Sequence, residues 1–264
     1  MAKVRLDLLL VDRGFFPSRE KAKANIMAGQ VLVDEQKVDK AGTKVHDSAA
    51  IRIIGEAIPY VSRGGLKLAG AMEAFQLKLE GKVVLDIGAS TGGFTDCALQ
   101  YGAVKVFAVD VGYGQLAWKL RQDPRVICLE RTNARYLNIE QLGEKVGLVT
   151  IDVAFISLEK ILPALPFLLK EEGQVVALIK PQFEAGKEKV GKKGVVRDPD
   201  VHREVIENIL ECARELDFHV LGLKHSPIRG PEGNIEYLLF LGVSANGQIN
   251  PNTKEVVSAA HRDV

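Results

Sequence analysis

From residue 82 onward the chain alternates short apolar runs with helical stretches. The runs are "KVVLDIG" (82–88), "KVFAVD" (105–110), "RVICLE" (125–130), "LVTIDV" (148–153) and "QVVALIK" (174–180). Helical patterns fit between them, most clearly at 158–170 and 200–216. Such alternation predicts a mostly parallel sheet covered on both faces. Two further runs, "HVLGLKH" (219–225) and "IEYLLFLGV" (235–243), are joined by "SPIRGPEGN" with no helix between them, so they read as an antiparallel pair added at one edge. The expectation is an α/β, Rossmann-like domain with a seven-stranded, mostly parallel sheet.

A different pattern precedes it. "RLDLLLVDRG" has helical spacing and stops at Gly14, and Ser18 is placed to cap a second helix, "REKAKANIMAG", closed by Gly29. "QVLVDEQKV" and "AAIRII" then read as strands. This small α+β unit resembles the S4 RNA-binding domain in "RLD.LLV.RG", "SREKAK..I..G.V.VD...V.K.G" and the closing "IRI". The resemblance implies that Arg5, Arg19, Lys21 and Lys23 meet RNA phosphates. The expected division is 1–58 for this unit, 59–63 for a linker containing Pro59, 64–245 for the α/β domain, and 246–264 for a tail that frays. A helix is expected in "SRGGLKLAGAMEAF", preceded by a flexible Gly64–Gly65 pair.

Charge and composition narrow the function classes. The net charge of +1 says little, but cations cluster locally. Lys180, Lys187, Lys189, Lys192, Lys193 and Arg197 face only Glu184 and Glu188, a second candidate footprint for a polyanion. The candidate contacts there are Lys187, Lys189, Lys192 and Lys193. Cys97, Cys128 and Cys212 form no CxxC pair, and the histidines show no ligand spacing, so no metal is expected. No segment approaches the roughly 18–20 apolar residues of a membrane helix. The N-terminus lacks a cleavage site. No membrane association and a cytoplasmic location are therefore expected.

"VVLDIGASTGGFTD" (83–96) places a Gly-rich turn between a strand and a helix, a geometry that admits a nucleotide-like ligand. Asp110 ends the next strand about twenty residues on, where a carboxylate can accept from ribose hydroxyls. The turn reads Gly88-Ala-Ser90-Thr-Gly92-Gly93 and departs from the GxGxxG of dehydrogenases. Asp86, just before it, suits a cationic methionine portion better than a pyrophosphate. With the antiparallel last strand, methyl transfer from S-adenosylmethionine is favoured.

"DIGASTGGF" resembles the cofactor loop of FtsJ-like RNA methyltransferases, with Thr91 where that family has proline. The ensemble of S4 unit, "SRGGLKL", "DIGASTGGFTD", "VDVGYGQL", "ERTNAR", "DVAFISL", "LIKPQFE" and "GNIEY" is similar to the TlyA-type ribosomal RNA methyltransferases, a family also called hemolysins. That resemblance implies 2′-O-methylation of cytidine in ribosomal RNA, with S-adenosylmethionine as cofactor and ribosomal RNA or ribosomal subunits as partners. It assigns a Lys-Asp-Lys-Glu tetrad to Lys67, Asp152, Lys180 and Glu236. Topology supports three of these independently, because the ends of parallel strands and the start of an antiparallel one share an edge. Lys67 is placed by resemblance alone.

Burial disfavours an ammonium, which suits Lys180 to the role of base, with Lys67 adding repulsion and the carboxylates orienting the amines. Cofactor contacts are expected from Asp86, Gly88, Ser90, Gly92, Gly93, Phe94 and Asp110, with Thr132 and Asn133 near the adenine. Ala154 stands where the family has serine. An amino-directed base methyltransferase would carry a D/N-P-P-Y/F motif in place of "DVAF". A cytosine-C5 enzyme needs a cysteine at the active edge, and neither Cys97 nor Cys128 is well placed. A membrane-lysing protein finds no support in the sequence. An RNA-binding assembly factor with an inert methyltransferase fold remains the alternative, weakened because all four tetrad positions are filled.

Overall fold

The computed structural model describes residues 3–54 and 58–263. Residues 1–2 and 55–57 of the expected first unit, and residue 264 of the expected tail, lie outside them.

The first unit runs β1 (Lys3–Arg5), α1 (Leu6–Asp12), α2 (Arg19–Met27), β2 (Val31–Val33), β3 (Gln36–Val38), β4 (Lys44–His46) and β5 (Ile51–Ile53). Ser18 caps α2 as expected, its hydroxyl accepting from the Lys21 amide at 3.3 Å. Leu6, Leu9 and Leu10 of α1 pack with Ala22 and Ile26 of α2 and with Val31 and Val33 in one core. β2 pairs antiparallel with both β3 and β5. The β1–β4 pair was not legible in the sequence, since three-residue strands are too short to show an alternation.

All seven expected strands of the larger domain form: β6 (Val83–Ile87), β7 (Lys105–Val109), β8 (Val126–Leu129), β9 (Val146–Ile151), β10 (Leu169–Ile179), β11 (His219–His225) and β12 (Tyr237–Gly242). Their spatial order is β11-β12-β10-β9-β6-β7-β8. β12 inserts between β10 and β11 and runs antiparallel to both. The helices are α3 (Gly64–Phe75), α4 (Gly93–Gln100), α5 (Trp118–Arg121), α6 (Ile139–Leu142), α7 (Pro181–Glu184), α8 (Pro199–Glu215) and α9 (Thr253–Asp263). Alternate strand residues feed two cores. Leu85, Ile87, Val149 and Ile151 join the core beneath α8. Val84, Val106, Leu148 and Val176 join the one beneath α3 and α4.

Three expectations are corrected. No α-helix forms over 158–170; Leu158–Lys160 and Leu162–Phe167 are 3-10 turns and β10 already begins at Leu169. Pro163 and Pro166 remove the amide donors that a regular helix would need there. Gly64 and Gly65 are not a flexible preamble but the first turn of α3. A Cβ on Gly65 would stand 2.3 Å from the Tyr60 ring, so the glycine permits close packing. The tail does not fray: α9 packs on α8 and β11 and buries Val257 and Ala260. One fully buried valine contributes about 1.5–3 kcal/mol, enough to hold a terminal turn.

Candidate active site

The sheet's C-terminal edge brings the expected residues together. Ile179 of β10 pairs with Tyr237 of β12, and Ala177 of β10 pairs with Ile151 of β9. Asp152, Lys180 and Glu236 are the next residues outward on these three strands: Lys180 and Glu236 stand opposite each other, and Asp152, level with Leu178, lies diagonally from Lys180 on the same face of the sheet. α3 lies across α4 and β12 and brings Lys67 from its first turns to the same point.

The four side chains form a chain of alternating charge. Lys67 Nζ donates to Glu236 Oε2 at 2.5 Å and stands 3.8 Å from Asp152 Oδ2. Lys180 Nζ stands 2.5 Å from Asp152 Oδ1. Lys67 is 5% exposed, Lys180 8% and Glu236 1%. Two cations and two anions cancel, which offsets the cost of taking them out of water. Glu236 Oε1 is buried and accepts no hydrogen bond among the described residues. Gly230 packs against that oxygen, and a Cβ there would come within 2.2 Å of it.

A cleft of about 330 Å³ adjoins the tetrad and takes Asp152 into its wall. Of the expected cofactor contacts, Gly88, Ser90, Asp110, Thr132 and Asn133 line it. Gly88 is at φ +84°, and a Cβ there would meet the Asp152 carbonyl oxygen at 2.5 Å, so only glycine lets the two strand ends close up. Asp110 accepts from the Ser90 amide at 2.8 Å and the Gly112 amide at 2.7 Å, which fixes its carboxylate at the cleft edge. Asn133 caps the 3-10 turn Ala134–Tyr136, accepting from the Arg135 amide.

The other loop residues stand behind the cleft rather than in its lining. The Asp86 carboxylate is enclosed, accepting from the Thr95 hydroxyl at 2.6 Å and the Thr150 hydroxyl at 3.1 Å. Burial pushes its carboxyl up to about 6, against the pull of those two donors. It ties β6 to β9 and to the first turn of α4. Gly92 and Gly93 serve packing: a Cβ on Gly92 would meet Leu120 at 2.2 Å, and one on Gly93 would meet Ser62 Oγ at 2.3 Å. Phe94 is buried in the core under α4.

Sequence reasoning missed Phe155, Phe183 and Gln115. Phe155 is 90% exposed and sits at φ +63°, a strained posture for an aromatic residue. Its ring lies 4.9 Å from that of Phe183, and Phe183 lies 6.0 Å from Lys180 Nζ. The one available signal was a lone aromatic just past a strand end, where the apolar pattern had already stopped. Gln115 lines the cleft and its Oε1 accepts from Ser90 Oγ at 3.2 Å.

The proposed RNA contacts divide. Arg5 and Arg19 converge on the buried Asp7 carboxylate, at 2.9 and 2.8 Å, while staying partly exposed. Lys21 turns inward and donates to the carbonyls of Ile58 (3.2 Å) and Pro59 (2.6 Å). Burial lowers its pKa, with Lys119 adding repulsion. Lys23 is half-buried at the edge of a groove facing the larger domain. Lys187, Lys189, Lys192 and Lys193 are exposed, and Lys189 pairs with Glu204 at 2.5 Å. Lys187 shares a second groove with Phe155 and Phe183.

The comparisons with known proteins agree with this architecture. The model of the S4 domain matches residues 4–51, and that of the FtsJ-like methyltransferase matches residues 60–243. The chain belongs to the TlyA-type, FtsJ-like methyltransferases. Within this family, a Bacillus subtilis candidate rRNA methyltransferase, YqxC, is 50% identical over 98% of this chain and 95% of its own length. The 16S/23S rRNA (cytidine-2'-O)-methyltransferase TlyA of Mycobacterium tuberculosis is 45% identical, over 99% of this chain and 97% of its own. A solved structure of a candidate hemolysin from Streptococcus thermophilus matches with a TM-score of 0.79 at 47% identity, covering 100% of this chain and 97% of that one. Among the described residues no cluster of His, Cys, Asp or Glu could hold a metal ion, and no helix is long and apolar enough to cross a membrane.

Proposed function

We propose that the protein methylates the ribose 2′-hydroxyl of a cytidine in ribosomal RNA, with S-adenosylmethionine as donor. The observation that carries this reading is the buried Lys67–Glu236, Lys67–Asp152 and Lys180–Asp152 chain beside a nucleoside-sized cleft. The cofactor, when bound, supplies an electrophilic methyl group. The residues present fit it: Asp110 offers a fixed carboxylate to a ribose diol, and Val111, Ile156 and Ile161 give apolar walls for a purine. Thr132 and Asn133 border the same space, and Asp86 holds the loop from behind.

The ribose hydroxyl is a poor nucleophile until its proton is removed. Lys180 is the group placed to accept that proton once it has released its own to solvent, and Asp152 fixes the amine by the 2.5 Å contact. Lys67 and Glu236 hold Asp152 in place from the other side, so both reactants meet in one alignment. Phe155 and Phe183 offer aromatic faces to the base of the target nucleotide. Residues 1–58 serve as the RNA-binding unit and 64–245 as the methyl-transferring unit. A ribosomal substrate places the work in the cytoplasm.

The test is Lys180→Ala, assayed with labelled S-adenosylmethionine on ribosomal subunits and on ribosomal RNA. Methyl transfer should fall by about 10²–10⁴-fold with cofactor binding intact. Near-wild-type turnover would remove Lys180 as the base. Label in a nucleobase instead of ribose would change the reaction type, and cofactor binding without transfer by the wild type would favour an inert assembly factor.

A further inference from the structure

A groove of about 420 Å³ separates α2 of the first unit from the cofactor loop of the second, away from the tetrad. Lys23 and Met27 of α2 line it together with Trp118 of α5, Arg63, Thr91 and Gln115. Trp118 is the chain's single tryptophan, and it is 66% exposed. Met27, which lines the same groove, is 60% exposed. A side chain of that size, left open at the meeting of two units, forms a flat apolar platform that the fold itself does not cover.

The charges at the groove's rim select its occupant. Neighbouring cations are committed: Arg121 to Glu130, and Lys119 to Asp96 at 2.8 Å. Lys23 and Arg63 have no ion-pair partner among the described residues. Glu20 is the single carboxylate among the lining residues. An indole face flanked by two uncommitted cations fits a base with its phosphates. It fits an unpaired base, because in a duplex both faces are already stacked.

We propose that this groove binds an unpaired nucleotide of the RNA substrate, its base stacked on Trp118 and its phosphates facing Lys23 and Arg63. The inference rests on the RNA methyltransferase reading and adds a contact that neither the tetrad nor the S4 resemblance supplies. Gln115 borders both the groove and the cofactor cleft, and its bond with Ser90 links the two. A filled groove therefore touches the cofactor loop directly.

Because Trp118 is the only tryptophan in the sequence, emission excited at the red edge of indole absorption, where the tyrosines do not absorb, reports on this residue alone. Titration with a short single-stranded oligoribonucleotide should give saturable quenching, and a duplex of equal length should give little. S-adenosylhomocysteine alone should leave the emission nearly unchanged. Trp118→Ala should weaken single-stranded RNA binding roughly tenfold or more, with Trp118→Phe recovering part of the loss and cofactor affinity unchanged in both. RNA retained on filters without any change in emission, or bound equally well by Trp118→Ala, would overturn the proposal. So would quenching by S-adenosylhomocysteine alone, which would assign the groove to the cofactor. Quenching by RNA from a protein that methylates no RNA would support the groove and overturn the methyl-transfer reading.

Discussion

Lys67 and Lys180 are chemically alike, yet their surroundings predict different consequences of losing them. Among the described residues, Lys67 is the sole cation bonded to the Glu236 carboxylate, which is almost wholly buried. Lys67→Ala leaves that charge uncompensated and should lower unfolding free energy by about 3–5 kcal/mol, measured by denaturant titration. Lys67→Ala with Glu236→Gln should recover a large part of the stability and none of the activity. A double variant no more stable than the single one would mean the pair is not the source of the cost. Lys180 faces the partly exposed Asp152, so its loss should act chiefly on turnover. The sequence placed three tetrad members, because a residue at a strand end has a position once the topology is known. It could not place Lys67, since nothing in "GGLKLAG" says how its helix docks. It also read Asp86 as a cleft residue, whereas one step of strand alternation turns that carboxylate under α4 toward Thr95.

Among the elements, the first unit hangs on one carboxylate. Arg5 ends β1, Asp7 lies in α1 and Arg19 opens α2, so the paired charges clamp three elements at their junction. Hydrogen bonding from Arg5, followed by that from Arg19, holds the Asp7 carboxyl down at about 2. A carboxyl whose folded value lies below its unfolded value near 3.9 stabilises the fold at all pH above that point. That contribution is lost as pH falls from about 4 through about 2. Stability of the isolated wild-type chain should therefore drop across this acid window, and Asp7→Asn should flatten the drop while lowering stability at neutral pH. Thermal melts at a series of pH values for both proteins check this; parallel curves would rule the clamp out. The arginines were legible as candidates for RNA contact, but their shared anchor was not. "RLDLLL" gives no hint that its aspartate is buried.

At the scale of the whole molecule, a polar seam joins the two units. Lys21 reaches the Ile58 and Pro59 carbonyls, Asn25 Oδ1 accepts from the Ile58 amide at 3.1 Å, and Gln100 donates to the Pro59 carbonyl at 3.2 Å. Asp96 continues it by accepting from the Val61 amide at 2.8 Å and from Lys119. The strand pattern and the motifs told which two units the chain contains. How they meet depends on side-chain-to-carbonyl bonds that leave no periodic trace. Lys21 therefore has two competing roles, phosphate ligand or strap, and salt dependence separates them. Removing one cation from a phosphate reduces the slope of log affinity against log salt by roughly 0.7–0.9. Lys23→Met should show that reduction. Lys21→Met should weaken RNA binding with the slope unchanged, because it releases the S4 unit from the seam while every cation that meets a phosphate stays in place. A reduced slope for Lys21→Met would return Lys21 to the RNA surface and leave Asn25 and Gln100 to hold the units together.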